Sequence, residues 1–189
     1  MSTFDKAAFN LLSANQRKTQ GHTYTVPSPQ NYPYQWFWDS CFHAQVLSYF
    51  DLSLAKAELL SLTSKQLENG LLPHMIYWEK AKPFGTLVTD ITWGRKDTST
   101  ITQPPIIADS VLKIYRKDHD IKFLEEIYPR LKKFYKYLLI ERDSRGNHLI
   151  GIINPDESGE DNSPRFDIPL KLPAMQTSKQ SLTQRLKLV

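Results

Sequence analysis

The sequence predicts an all-α fold. Apolar residues recur at helical spacing in five segments, and long loops containing proline and glycine separate them. No run alternates convincingly enough to make a sheet. Residues 3–18 read as the first helix, with Phe4, Ala8, Leu11 and Leu12 on one stripe and Ser2 and Asp5 as a weak capping pair. Residues 21–38 hold three prolines and cannot be helical throughout. Residues 39–50 form the second helix, with Asp39 as its cap or in its first turn. Residues 53–68 form the third, stopped by Asn69-Gly70, because glycine tolerates the left-handed conformation. Residues 71–102 read as loop with short strands. Pro104-Pro105 then opens a helix to Lys117, since proline suits a first turn. Residues 121–142 show the cleanest period, with Leu124, Ile127, Tyr128, Leu131, Tyr135 and Leu138 on one face. A turn at 143–146 leads to a short strand at 149–153 and an acidic loop from Asn154.

The chain has 189 residues, 40% of them hydrophobic and 23% charged, enough to bury a core. Lys and Arg number 24 against 20 Asp and Glu, but four of the cations, Lys171, Lys179, Arg185 and Lys187, lie in an acid-free stretch at 168–189. The rest of the chain is neutral overall, which argues against nucleic-acid binding. The same stretch lacks aromatics and a clear period. It reads as an atypical basic tail, disordered, beyond a domain at 1–167. A single cysteine, Cys41, fits a reducing compartment. The first twenty residues lack a secretory pattern, and no uncharged apolar run approaches membrane length, so the expected location is cytoplasmic, away from membranes.

Four constellations carry the chemistry. Tyr32-Pro-Tyr34-Gln-Trp36-Phe37-Trp38-Asp39-Ser40 packs five aromatics into seven positions ahead of an acid. Indole and phenol rings stack on sugar faces, but they also pack as a core cluster with Asp39 as a cap. Residues 154–167 hold Asp156, Glu157, Glu160, Asp161 and Asp167 around Arg165. Crowded carboxylates raise one another's pKa, as a general acid requires, yet a plain solvated turn has the same composition. A calcium loop fits poorly, because Gly159 falls at the fourth position and no Glu closes the twelfth. Gln103, ahead of Pro104-Pro105, is placed to donate to a ligand or to cap. Residues 69–78, with His74, Tyr77 and Trp78, form another polar and aromatic loop. The five histidines have no ligand-like spacing, and no phosphate loop or nucleophile elbow is present, so neither metal nor cofactor is expected.

Tyr32-x-x-x-Trp36-x-Trp38-Asp39-Ser40, Asn69-Gly-Leu-Leu-Pro, Gln103-Pro-Pro and Glu157-Ser-Gly-Glu-Asp161-Asn-Ser-Pro-Arg165-Phe-Asp167 follow one another in order. Over residues 28–167 the chain resembles glycoside hydrolase family 63 and its relatives, including mannosylglycerate and glucosylglycerate hydrolases. The resemblance implies a partial (α/α)₆ toroid whose long loops form the pocket end, and an inverting mechanism. It assigns the general acid to Asp161 and substrate binding to Tyr32, Trp36, Trp38, Asp39, Tyr77 and Gln103. A Glu much further along the family's chains serves as base. Two departures stand out: Asp156 occupies a position where the relatives usually have Trp, and the stretch after Asp167 is unlike them.

The five helices use roughly 28 residues each with their loops, so twelve take roughly 340. The chain is therefore read as about half a toroid. The expectation is a truncated inverting hydrolase of α-glucosides or α-mannosides, including glucosyl- or mannosylglycerate, inactive alone for want of its base. Its partner is a small carbohydrate. A non-catalytic carbohydrate- or partner-binding helical protein is the alternative.

Overall fold

A capping box opens the chain: the Ser2 N–H donates to Asp5 (2.7 Å), and the Asp5 N–H donates to the Ser2 hydroxyl (3.1 Å). Helix α1, Thr3–Asn15, follows. The computed structural model describes residues 2–78, 95–160 and 163–171. Helix α1 stops three residues short of the expected end at 18, because Gln16–Thr19 (β1) turns into a hairpin with His22–Thr25 (β2). Gln20 and Gly21 form the turn with φ of +50° and +78°. Two successive positive φ values match the right-handed twist of the flanking strands.

Strand β3, Gln35–Trp36, pairs antiparallel with β4, Met75–Ile76, setting Gln35 opposite Ile76 and Trp36 opposite Met75. Residues 97–101 flank β4 through the Ile76–Thr98 bridge and a bond from the His74 N–H to the Ile101 carbonyl (2.8 Å). The expected absence of sheet is thus corrected by two small ones. Residues 149–153, expected to be a strand, are not one.

Helix α2 spans Phe37–Leu47, two residues earlier than expected, with Asp39 in its first turn rather than at the cap. Helix α3, Leu52–Ser64, is capped by Asp51, whose carboxylate accepts the Leu54 amide at 3.0 Å. It ends well before Gly70. That glycine serves another purpose: at φ +100°, a Cβ there would lie 2.7 Å from the Lys133 carbonyl oxygen. Only glycine lets this loop approach so closely. Helix α4, Ile107–Asp118, starts after Pro104-Pro105 rather than on it. Helix α5, Ile121–Glu141, is capped by Asp120, and Lys56 of α3 binds both Asp118 and Asp120.

Helix α2 packs on α3 and α4, and both α3 and α4 also touch α5. Phe37, Leu47, Leu59, Leu62, Ile107, Ile114, Ile127, Phe134 and Leu138 are fully buried at their junction. The Phe37 and Phe134 rings meet edge to face at 5.5 Å. Each such side chain contributes about 1.5–3 kcal/mol through burial. Among the described residues, no helix is long and apolar enough to cross a membrane.

Candidate functional site

The segment passing from β3 into α2 presents the aromatic cluster. Trp36 is half-buried, its ring edge-on to Tyr32 (5.6 Å) and His74 (5.2 Å). Its indole Nε1 is buried without a hydrogen-bond partner among the described residues. Burial lowers the His74 pKa to about 3, so this ring is neutral, with Nδ1 2.7 Å from the Ser99 hydroxyl. Tyr77 packs edge-on to Tyr34 at 4.9 Å. Asp39 is half-buried in the first turn of α2, where the helix N-terminus favours negative charge.

A second convergence surrounds Trp38. Its backbone N–H donates to Gln103 Oε1 at 3.1 Å. Gln103 is thus a cap, but for α2 rather than for the helix it precedes. Gln103 is itself buried, and its amide nitrogen remains as a hydrogen-bond donor. From the other side comes the acidic loop. Gly159, at φ +73°, lies so close to the indole that a Cβ would fall 2.6 Å from Trp38 Cη2.

A buried ion pair holds that loop. Glu157 lies in a 3₁₀ turn, Pro155–Ser158, and its carboxylate meets Arg142 just past α5 at 2.7 and 2.8 Å. It also accepts the Thr102 amide (3.0 Å) and the Ile153 amide (2.8 Å). Arg142 donates its Nε to the Tyr137 hydroxyl at 2.8 Å. Burial works against the guanidinium's charge, yet the bonds to Glu157 and Tyr137 hold its pKa above the ordinary value. The expectation that Glu157 joins the acids around Arg165 is corrected here. Arg142 takes Glu157, and Arg165 takes Glu160 at 2.6 Å on the surface.

Beneath the aromatic segment lies a network that the sequence did not reveal. Gln35 Nε2 donates to Ser61 Oγ (2.9 Å) and Ser40 Oγ (3.1 Å), while Gln35 Oε1 accepts the Trp78 indole N–H (2.7 Å). Ser40 Oγ donates to Glu58 at 2.6 Å. Burial pushes the Glu58 carboxyl up to about 8, and bonds from Ser40, Thr25 and Gln35 offset only part of that. One signal was present: Glu58 falls on the Ala55, Leu59, Leu62 stripe, so its spacing turns it inward. Gln35 and Arg142 gave none.

The structure therefore brings Trp38 and Gln103 together, sets Trp36 between Tyr32 and His74, and keeps Asp39 one residue from Trp38. Asp161 lies outside the described residues. Among those residues, no three His, Cys, Asp or Glu side chains could hold a metal ion together. The arrangement places indole rings beside an amide side chain.

A family model described as the mannosylglycerate hydrolase MGH1-like glycoside hydrolase domain matches residues 32–187. Its match runs past Asp167 into the stretch read as a tail, of which residues 172–189 lie outside the described ones. Mannosylglycerate hydrolase of Thermus thermophilus is 38% identical over 165 residues, which is 82% of this chain and 39% of that protein. Glucosylglycerate hydrolase of Mycolicibacterium hassiacum is 32% identical over 178 residues, 82% of this chain and 40% of its own. A crystal structure of GH63 mannosylglycerate hydrolase from Thermus thermophilus, in complex with Tris and D-glycerate, superposes with a TM-score of 0.79. It is 36% identical, and the match covers 97% of this chain and 44% of that one. The chain spans about two fifths of the length of these relatives.

Proposed function

Because the chain belongs to the mannosylglycerate hydrolase MGH1-like glycoside hydrolase family and its helices form part of an (α/α)₆ toroid, we propose that it supplies the acid-bearing side of an inverting glycosidase site. Its substrates are α-mannosides or α-glucosides of small acceptors, glycerate included. Asp161 is the general acid, protonating the leaving glycosidic oxygen. Trp36, Trp38 and Tyr32 offer ring faces to the sugar, and Asp39, Tyr77 and Gln103 its polar contacts.

The observation that carries this reading is the convergence on Trp38. Gln103 caps its amide, and Gly159, two residues before Asp161, lies against its ring. Two carboxylates about 6.5–9.5 Å apart are needed for inversion, one giving a proton and one activating water. Glu157 and Glu160 are each committed to an arginine and cannot serve as the base. On this reading the 189 residues bind sugar without turning it over, because the family's base is a Glu much further along its chains. Losing an acid or base costs a factor of about 10²–10⁴, and losing part of the pocket costs positioning as well.

The test sets the purified chain beside its Asp161→Asn variant on mannosylglycerate, glucosylglycerate and simple α-glucosides. Calorimetry should detect binding of a glycosylglycerate, and hydrolysis should be absent from both proteins. Robust hydrolysis abolished by Asp161→Asn would overturn the missing-base reading. No binding at all would remove the assignment of the Trp38 face to sugar.

A further inference from the structure

We infer that Glu157 is a positioning residue that holds the Gly159 loop and the Gln103 segment in one register against Trp38; this rests on the reading of Trp38 and Gln103 as sugar-facing. The Glu157 side chain is 1% exposed and cannot itself touch a substrate. Each of its oxygens accepts one backbone N–H and one guanidinium N–H. Oε1 takes Thr102 (3.0 Å) and Arg142 Nη2 (2.8 Å), and Oε2 takes Ile153 (2.8 Å) and Arg142 Nη1 (2.7 Å). Thr102 is bonded directly to Gln103, and Gly159 is two residues beyond Glu157.

The contacts close a circuit. From Trp38 it runs through the capping amide of Gln103 to Thr102, across to Glu157, and back through Gly159 to the Trp38 ring. Removing Glu157 opens the circuit where two chain segments meet, with no bond broken at Trp38 itself. A buried ion pair adds little net stability over apolar residues of equal volume. This one contributes fixed geometry, because its two oxygens demand four donors from three separate places.

The test uses the 189-residue chain labelled with 5-fluorotryptophan, with the Trp38 resonance assigned through Trp38→Phe. Glu157→Gln replaces one acceptor oxygen by a donor, so one backbone N–H and part of the guanidinium lose their partner. The Trp38 fluorine signal should shift and broaden, while that of Trp78, held by Gln35 in the other network, stays in place. Amide exchange at Thr102 and Ile153 should quicken by about tenfold or more, and binding of mannosylglycerate should weaken by about tenfold.

An unchanged Trp38 signal with unchanged exchange overturns the inference. So does a shift of Trp78 equal to that of Trp38, which marks a general loosening. Should Glu157→Gln not fold, Arg142→Met combined with Glu157→Leu leaves no unpaired charge, and the same fluorine readings decide. Absence of mannosylglycerate binding by the unsubstituted chain counts against the proposed function; the fluorine and exchange readings still decide the positioning role.

Discussion

Glu58 and Glu157 are 1% and 3% exposed, and no other carboxylate among the described residues is so deeply buried. Glu157 faces a guanidinium and two backbone amides, so its charge is matched on every side. Glu58 faces hydroxyls and an amide but no cation among the described residues, and burial drives its carboxyl up to about 8. Burial without a matching charge keeps the Glu58 carboxyl neutral. A buried Glu beneath an aromatic site therefore says nothing about charge until its donors are counted.

The same substitution should have opposite effects at the two positions. Glu157→Gln leaves the Arg142 charge buried and poorly compensated, so it should destabilise the chain by about 3–5 kcal/mol, read as a shift in the urea midpoint. A loss under about 1 kcal/mol would show that water reaches Arg142 and that the two acids differ less than the geometry indicates.

Glu58→Gln should instead stabilise, in a pH-dependent way. The folded carboxyl titrates near 8 and the unfolded one near 4.5. Below about 4.5 both are protonated, and the wild type and the variant should match closely. As pH rises from there to about 8, the unfolded chain releases its proton while the folded one keeps it, so wild-type stability falls. By pH 8 the variant should be ahead by about 2–4 kcal/mol. Urea titrations at both pH values check this, and a pH-independent difference would mean Glu58 is ionised in the fold.

The smallest effect belongs to the surface. Glu160 pairs with Arg165 where both are more than half exposed. Glu160→Gln should change stability by less than about 1 kcal/mol and leave sugar binding intact. A large loss of binding would make Glu160 part of the site, against its position at the surface pair.

The sequence revealed the parts whose signals are local. Helix α5 is periodic enough that its bounds agree within one residue, and Asp51 and Asp120 lie just ahead of apolar runs, where caps belong. It misled where two structures compete over a few residues. Arg17 and Lys18 are good helix formers, yet Gln20-Gly21 favours a tight hairpin, and β2 packing on α3 decides the matter. Strands β3 and β4 are two residues each, too short to leave a period. At the site, motif order pointed to Trp36, Trp38 and Gln103 as neighbours in function, and Gln103 does reach Trp38. That Gln103 would cap a helix other than its own, or that Arg142 would claim Glu157, depends on contacts across 65 and 15 residues that no local pattern encodes.

The ion pair also bears on the order in which the chain folds. Thr102 and Glu157 stand 55 residues apart, and the whole of α4 and α5 lies between them. Arg142 sits at the far end of α5, so the pair cannot close until the α4–α5 hairpin has formed and docked. Joining distant points costs loop entropy that only a largely assembled scaffold can offset. The helical packing is thus expected to precede closure of the ring around Trp38. On this argument the surroundings of Trp38 close only after the core that supports them has formed.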